Sequence, residues 1–278
     1  MYEETIALFP NKPNVTLTSY IAATSKELPY NEKRKAILII PGGAYHYCSD
    51  REAEPIAHTY LAAGFNAFVL RYSVANNGDA TWPNPLVDAS AAMKYIRDNA
   101  KRFHIDPELV FAIGFSAGGH LAAALGTLWD DDEIEKKLGI EKGYNRPTGI
   151  IVAYPVISGL VHAHRNSIDA ILGDRKDDEE ARREMSLELR VTEKNVPAFI
   201  WSTRTDSPVP VQNSLLFANA LADAGVPFEM HIYPSGEHGA SLGNAIVGRN
   251  TPILAAWVSN SIRWMESVAA SVKAENKD

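Results

Sequence analysis

The heptapeptide GFSAGGH at residues 114–120 decides the fold of this 278-residue chain. It ends the apolar run Val110–Gly114 and opens Ala117–Leu128, a stretch of small apolar residues that is typical of a buried helix. A G-x-S-x-G sequence between a strand and a helix is the pattern of a sharp turn that exposes the serine hydroxyl. A side chain in place of either flanking glycine would crowd such a turn. The heptapeptide therefore predicts a strained Ser116 with an exposed Oγ.

Apolar runs like the one before this turn recur along the chain, separated by stretches with helical periodicity. We predict strands at Ala36–Ile40, Asn66–Tyr72, Val110–Gly114, Gly149–Pro155, Pro197–Ser202 and Phe228–Tyr233. Helices are predicted at Glu52–Ala63, Pro85–Lys101, Ala117–Leu128, Val211–Ala224 and Pro252–Val272. Strands that alternate with helices are joined by right-handed crossovers, so we predict an α/β fold with a mainly parallel central sheet flanked by helices.

Two segments depart from this alternation. Val15–Thr18 alternates apolar and polar residues, which predicts an antiparallel strand at the edge of the sheet. Residues 158–195 form an insertion after the strand near 149–155, and insertions at that end of a strand usually lie over the mouth of a site. We predict a small helical, cap-like insertion there, with a surface excursion as the alternative. Residues 1–278 are otherwise predicted to form a single domain.

Composition excludes several classes of protein. The net charge of −7 gives no electrostatic footprint for nucleic acid or an anionic membrane. Cys48 is the only cysteine, which excludes an intrachain disulfide and a cysteine-based zinc site. Glu3 and Glu4 stand where a signal peptide would carry a basic start, and no apolar run reaches the length of a membrane span. We therefore expect a cytoplasmic protein with no membrane or nucleic-acid partner.

A serine hydroxyl is a weak nucleophile near neutral pH, so Ser116 requires a base, and the base requires an orienting carboxylate. His238 lies in the glycine-bounded loop PSGEHG at residues 234–239, at the end of the last predicted strand. His231 lies within that strand and would project from the body of the sheet. His238 is therefore the predicted base.

The orienting acid is expected between Ser116 and His238 in the chain. Asp206 follows the predicted strand Pro197–Ser202 directly, on a loop stiffened by prolines. Asp169 and Asp174 remain competitors, although both fall in the irregular insertion rather than at a strand end. Asp206 is the predicted third member of a Ser-His-Asp triad.

Backbone N–H groups are expected to stabilise the oxyanion of a tetrahedral intermediate. The N–H of Ala117, directly after the nucleophile, supplies one donor in turns of this kind. The sequence PGGAY at residues 41–45 follows another predicted strand, and its glycines allow the main chain to turn amides inward. We predict Gly43 and Ala44 as the other two donors.

His162 and His164 form an H-x-H pair, which is one pattern of a metal site. The sequence offers no clear third ligand, so we interpret both as surface or pocket-wall histidines. We predict no metal and no cofactor.

Four stretches in order carry a family resemblance: PGGAYHYCSDREAEPIA at 41–57, GFSAGGH at 114–120, TDSPVPVQNS at 205–214 and YPSGEHG at 233–239. Together they resemble the serine esterase branch of the α/β-hydrolase fold, over roughly residues 35 to 270. Within that branch the sequence is similar to acetyl esterases and to acetylxylan or feruloyl esterases, which are often labelled lipase/esterase. The chain departs from many relatives by carrying Pro41 where they have a histidine before the glycines, and Thr205 where they often have an acid.

The resemblance implies a serine carboxylesterase that hydrolyses short-chain, acetyl-type esters, chiefly of carbohydrates, through an acyl-enzyme. Its partner would be a small-molecule or oligosaccharide ester, and self-association is common in this branch. Tyr45, His46 and Tyr47 follow the oxyanion loop and are predicted to wall an acyl or sugar subsite, with packing under the cap as the alternative.

Other activities remain open at this point. A prolyl-oligopeptidase-like peptidase has the same G-x-S-x-G turn. Such enzymes carry a large extra domain, however, for which the chain has no room. Lipase-type and feruloyl esterases are alternatives within the branch. A non-catalytic binding protein on this scaffold would usually lack part of the triad.

Overall fold

The strands of the computed structural model, which describes residues 1–27 and 33–275, form one sheet. The described residues contain eight strands: β1 (Tyr2–Phe9), β2 (Lys12–Ile21), β3 (Arg34–Ile40), β4 (Asn66–Arg71), β5 (Ile105–Phe115), β6 (Ile150–Ala153), β7 (Ala198–Thr203) and β8 (Phe228–Tyr233). Their order is β1-β2-β4-β3-β5-β6-β7-β8. All neighbours from β4 to β8 pair in parallel, so the prediction of a mainly parallel sheet is confirmed.

The N-terminal end of the sheet differs from the prediction. Val15–Thr18 lies in β2, which is antiparallel to its neighbours but does not form the edge. The edge is β1, whose Tyr2 pairs with Ile21. Because Glu3 and Glu4 interrupt the apolar pattern of β1, the sequence gives little sign of a strand there. The prediction of an edge strand at residues 15–18 is therefore wrong.

Helices cover both faces of this sheet. The α-helices are α1 (Glu54–Ala62), α2 (Asn84–Asp98), α3 (Ala117–Thr127), α4 (Asp132–Leu138), α5 (Arg165–Leu172), α6 (Glu179–Glu184), α7 (Gln212–Asp223) and α8 (Ala256–Glu275). Short 3-10 helices lie at Asp50–Glu52, Gly173–Arg175, Leu187–Leu189, Ala245–Val247 and Pro252–Ala255. The last predicted helix is therefore divided, with a 3-10 turn before α8. No helix in the described part of the chain is both long enough and apolar enough to cross a membrane.

The core lies on both faces of the sheet, which explains the unbroken apolar run of β3. Leu38 and Ile40 point into one apolar cluster, whereas Ile37 and Ile39 point into the other. All four side chains are fully buried. Burial of each such side chain contributes about 1.5–3 kcal/mol, so β3 is firmly held and fixes the position of the loop that follows it.

The insertion at residues 158–195 packs against the body of the protein. It contains α5 and α6, and the side chains of Ile168, Ile171 and Met185 belong to the same apolar cluster as Leu38. The main chain is also tied down, because the Trp82 N–H donates to the Ile171 carbonyl over 2.8 Å. The insertion is helical, as predicted, and it shares the core of the sheet.

Candidate active site

Ser116 lies at the junction of β5 and α3, in a strained backbone conformation. Its φ is 54° and its ψ is −118°, a combination that residues with a side chain rarely adopt. A Cβ at Gly118 would lie 2.2 Å from the Ile40 carbonyl oxygen, and one at Gly114 would lie 2.0 Å from the Gly118 carbonyl oxygen. Both glycines are therefore required for the close approach of the helix to the strand ends.

His238 extends from the loop after β8 to the serine. Its Nε2 lies 2.8 Å from Ser116 Oγ. The ring of Tyr154 packs edge-on against the imidazole, with the ring centroids 5.1 Å apart. The His238 side chain is 19% exposed, so the imidazole lies at the border with solvent.

Asp206 lies on the other side of the imidazole. Its Oδ2 is 2.7 Å from His238 Nδ1, and its Oδ1 accepts the Val209 N–H over 2.9 Å. A carboxylate at Nδ1 holds the ring proton there, which leaves Nε2 to accept from the Ser116 hydroxyl. The structure thus brings the three sequence-predicted residues into one hydrogen-bonded line.

The competing acids lie elsewhere. Asp169 forms an ion pair with Arg182 inside the insertion, and Asp174 is exposed. The rejected histidine His231 contacts Glu229 at 2.7 Å on β8.

The loop after β3 lies beside Ser116. A Cβ at Gly42 would lie 3.0 Å from Ser116 Cβ, so the loop backbone is in close contact with the turn at Ser116. Its turn is closed by the His46 N–H, which donates to the Gly43 carbonyl over 2.9 Å. Within the described residues, the N–H groups of Gly43 and Ala44 donate no hydrogen bond to the chain. These two amides are therefore available to a ligand.

Ala117 is the first residue of α3, and the first N–H groups of a helix have no acceptor within it. This N–H follows Ser116 directly. The helix N-terminus also adds partial positive charge beside the serine.

Glu52 is buried next to this loop and was not among the predicted site residues. Its Oε2 accepts the Gly42 N–H over 2.8 Å, and its Oε1 accepts the Tyr154 hydroxyl over 2.6 Å. In the sequence, Glu52 stands among acidic and basic residues at the predicted start of a helix, where a solvated side chain is the ordinary expectation. The only signal in the sequence was that Glu52 lies within residues 41–57, the first of the four stretches that carry the family resemblance.

The three residues predicted to wall a subsite point in different directions. Tyr45 is fully buried, and its hydroxyl contacts His120 Nδ1 at 2.8 Å, so the prediction that it lines a substrate subsite is wrong. Ala44 and Tyr45 both have positive φ values, which turn the Tyr45 side chain into the core. His46 Nε2 lies 3.1 Å from Asn166 Oδ1 in the insertion, and Tyr47 is exposed.

His120, the last residue of the heptapeptide, connects the loop after β3 to the insertion. Its Nε2 lies 2.9 Å from the Met185 carbonyl, which requires a proton on Nε2 and leaves Nδ1 to accept from the Tyr45 hydroxyl. Complete burial lowers the pKa of His120 to about 4. The imidazole is therefore neutral at neutral pH.

The H-x-H pair lies near the mouth of the site. His164 Nδ1 contacts Ser167 Oγ at 2.7 Å, and its pKa is lowered by burial and by the nearby charge of His238. His162 is exposed, and its carbonyl accepts from the Asn213 side chain. In the parts of the chain that the structure describes, no group of three or more His, Cys, Asp or Glu side chains is placed to hold a metal ion.

The BD-FAE family model matches residues 27–221. The chain belongs to the BD-FAE family. It superposes on solved α/β-hydrolase structures, which confirms the predicted fold class.

Two curated proteins are similar to this BD-FAE chain. Endo-1,4-beta-xylanase B of Butyrivibrio fibrisolvens is 40% identical over 219 residues, which cover 76% of this chain and 33% of the relative. An acetylxylan esterase of Xylanibacter ruminicola is 33% identical over 226 residues, which cover 78% of this chain and 43% of the relative. The chain thus spans between a third and a half of the length of these curated relatives.

Solved structures match the BD-FAE chain over nearly its full length. One of them is the acetyl ester-xyloside bifunctional hydrolase from Caldicellulosiruptor lactoaceticus, which is 35% identical with a TM-score of 0.81. The match covers 96% of each chain. The similarity therefore extends over nearly the whole chain.

Proposed function

We propose that this chain is a serine carboxylesterase that hydrolyses short-chain, acetyl-type esters of carbohydrates through an acyl-enzyme. The observation that carries the proposal is the hydrogen-bonded line from Ser116 through His238 to Asp206, with contacts of 2.8 and 2.7 Å. The available amides of Gly43 and Ala44 lie on the adjoining loop, where an oxyanion requires donors.

In the first half of the reaction, Ser116 Oγ attacks the ester carbonyl carbon while its proton passes to His238 Nε2. The carbonyl oxygen becomes an oxyanion that accepts hydrogen bonds from the N–H groups of Gly43, Ala44 and Ala117. When the C–O bond of the ester breaks, His238 gives the same proton to the departing alcohol. The acyl group stays on the serine oxygen.

In the second half, a water molecule takes the place of the alcohol. His238 accepts a proton from this water, whose oxygen attacks the acyl carbon, and the same amides stabilise the second oxyanion. The proton then returns to Ser116 Oγ as the carboxylic acid leaves. Asp206 stays ionised throughout and stabilises the imidazolium.

The polar mouth of the site supports a short acyl group. The His46 and Asn166 side chains meet over 3.1 Å between the oxyanion loop and the insertion, and His164 lies near the triad. A long hydrocarbon chain gains little from such surroundings, because binding of apolar groups requires apolar area to be removed from water. The names of the acetylxylan esterase and the acetyl ester-xyloside hydrolase agree with acetate.

A cleft beside the oxyanion loop supports a carbohydrate on the alcohol side. It has a volume of about 380 Å³ and is lined by Tyr47, Asn14, Arg71 and Asn77, among others. Tyr47 is 53% exposed, and an exposed aromatic face with amide and guanidinium groups around it suits the apolar face and hydroxyls of a sugar ring. Arg71 ends β4, two strand spacings or about 10 Å from the strand of Ser116.

The experiment is an ester panel of acetyl, butyryl, octanoyl and feruloyl esters and acetylated xylo-oligosaccharide. We expect the acetyl esters to be cleaved best, and Ser116→Ala to lose about 10⁴-fold or more in kcat. Equal turnover by wild type and Ser116→Ala would rule out a serine esterase. Preference for the octanoyl ester would rule out the acyl assignment alone.

The alcohol side is tested separately. Tyr47→Ala should lower kcat/KM for acetylated xylo-oligosaccharide about tenfold more than for an aryl acetate, because only the former places a sugar in the cleft. Phe228→Ala is the matched control, since Phe228 is an exposed aromatic residue in the strand at the opposite edge of the sheet. Equal losses on both substrates would remove the cleft from the proposal.

A further inference from the structure

A buried carboxylate lies next to the triad and has no part in the steps above. Glu52 is 3% exposed and belongs to the 3-10 turn Asp50–Glu52. Both of its oxygens accept hydrogen bonds, one from the Gly42 N–H and one from the Tyr154 hydroxyl. A buried acid is costly unless it is fully paired, so the presence of Glu52 at this place requires an explanation.

The first contact fixes the oxyanion loop. Gly42 immediately precedes Gly43 and Ala44, whose amides are available to substrate. With the Gly42 N–H directed at Glu52, the next peptide groups are held in one orientation. A further bond, from the Ser49 N–H to the Gly42 carbonyl over 2.9 Å, closes the loop around the carboxylate.

The second contact reaches the loop that carries the base. The Tyr154 oxygen accepts the Ser241 N–H over 3.0 Å while its hydroxyl donates to Glu52. Ser241 lies three residues after His238, and the Tyr154 ring packs on the imidazole. Ser241 Oγ in turn donates to the Arg51 carbonyl over 2.6 Å.

The charges of Glu52 and His238 also interact. Burial raises the pKa of Glu52 above that of an ordinary glutamate, and its two hydrogen bonds and the charge of His238 offset only part of this rise. Both partners are donors, which suits the ionised form of the acid. The other titratable groups around His238 are Asp206, Tyr154 and His164, and the Arg51 guanidinium lies close to the adjoining Gly239.

We propose that Glu52 is a positioning residue that sets the Gly43 and Ala44 amides through Gly42 and the His238 loop through Tyr154. Its negative charge also favours the imidazolium that forms when Ser116 loses its proton. This inference rests on the proposed function, because the amides and the imidazole are assigned their roles there. It adds to the site a second carboxylate besides Asp206.

Two substitutions separate these effects. Glu52→Ala leaves the Gly42 N–H without an acceptor, and we expect kcat for an aryl acetate to fall about 100-fold with KM within about threefold of wild type. Glu52→Gln keeps an acceptor for the Gly42 N–H, so we expect its kcat to be about tenfold higher than that of Glu52→Ala. Because both variants remove a negative charge near His238, the acid limb of the kcat/KM pH profile should move to lower pH in both.

Tyr154→Phe and Glu54→Gln complete the design. Tyr154→Phe removes the link to the His238 loop and keeps the charge, so kcat should fall about tenfold without the shift of the acid limb to lower pH. Glu54→Gln changes an exposed acid two residues away and should leave kcat and the pH profile unchanged.

The outcomes distinguish this inference from the function on which it rests. An active wild type with Glu52→Ala and Tyr154→Phe both within twofold in kcat would overturn the positioning role and leave the esterase intact. Loss in KM alone, or an unshifted acid limb in Glu52→Gln, would also overturn it. If the Glu52 variants fail to fold, Tyr154→Phe decides, and a kcat equal to that of wild type overturns the proposal.

Discussion

Buried His120 predicts an acid-sensitive step in the stability of the protein. Its imidazole is completely buried between the Tyr45 hydroxyl and the Met185 carbonyl, and burial lowers its pKa to about 4. In the unfolded chain the same group has a pKa of about 6.5. The unfolded state therefore binds a proton over a pH range in which the folded state does not.

The direction and the size of the change in stability with pH follow from these two pKa values. A depressed folded-state pKa stabilises the fold fully above pH 6.5, and this stability is lost as the pH falls toward 4. Between pH 7.5 and pH 4.5 the two pKa values give a loss of about 2–3 kcal/mol in the free energy of unfolding. That is a large part of the stability of an ordinary domain.

The assay is urea unfolding of wild type and His120→Gln at both pH values. Glutamine can still donate to the Met185 carbonyl but does not titrate, so its stability should fall by about 2–3 kcal/mol less between the two pH values. All other titrating groups cancel in this double difference, provided that the urea m-values agree. If wild type and variant lose the same stability, His120 is not held neutral by burial and the reasoning is refuted.

Three further predictions concern the site and its surroundings. Asp206→Asn should lower kcat about 10⁴-fold in a folded protein, checked by ester turnover beside circular dichroism, and a loss below tenfold would contradict its orienting role. Gly118→Ala forces a Cβ to within 2.2 Å of the Ile40 carbonyl and should cost about 3 kcal/mol or more in urea unfolding, whereas Gly78→Ala, whose Cβ would meet nothing closer than 4.0 Å, should change little. Burial raises the pKa of the Cys48 thiol to about 11, so its alkylation at pH 8 should be on the order of a hundredfold slower than that of an ordinary thiol, and equal rates in native and unfolded protein would contradict this.

Much of the site could be predicted because its signals are local. Ser116 is marked by the glycines around it and by the strand and helix on either side. Asp206 and His238 each follow a strand, and the ends of parallel strands meet at one edge of a sheet. Local sequence thus specifies both the elements and the edge where they converge.

The parts that were missed depend on contacts between distant segments. Glu52 acquires its meaning from Tyr154, which lies 102 positions later in the chain. The Tyr45 side chain points inward because Ala44 and Tyr45 both have positive φ values in a turn. The spacing of apolar residues in the sequence does not predict such a turn. The outer strand β1 carries Glu3 and Glu4, and its place in the sheet comes from its pairing with β2.

The packing of the insertion has a consequence for engineering of substrate range. Ile168 and Ile171 lie in the common core, whereas Asn166, only a few positions away, contacts His46 at the mouth. Replacement of the whole segment by one from another protein would remove core side chains together with the rim. Mutant libraries confined to residues 161–166 would vary the side chains at the mouth of the site and leave the core side chains of the insertion unchanged.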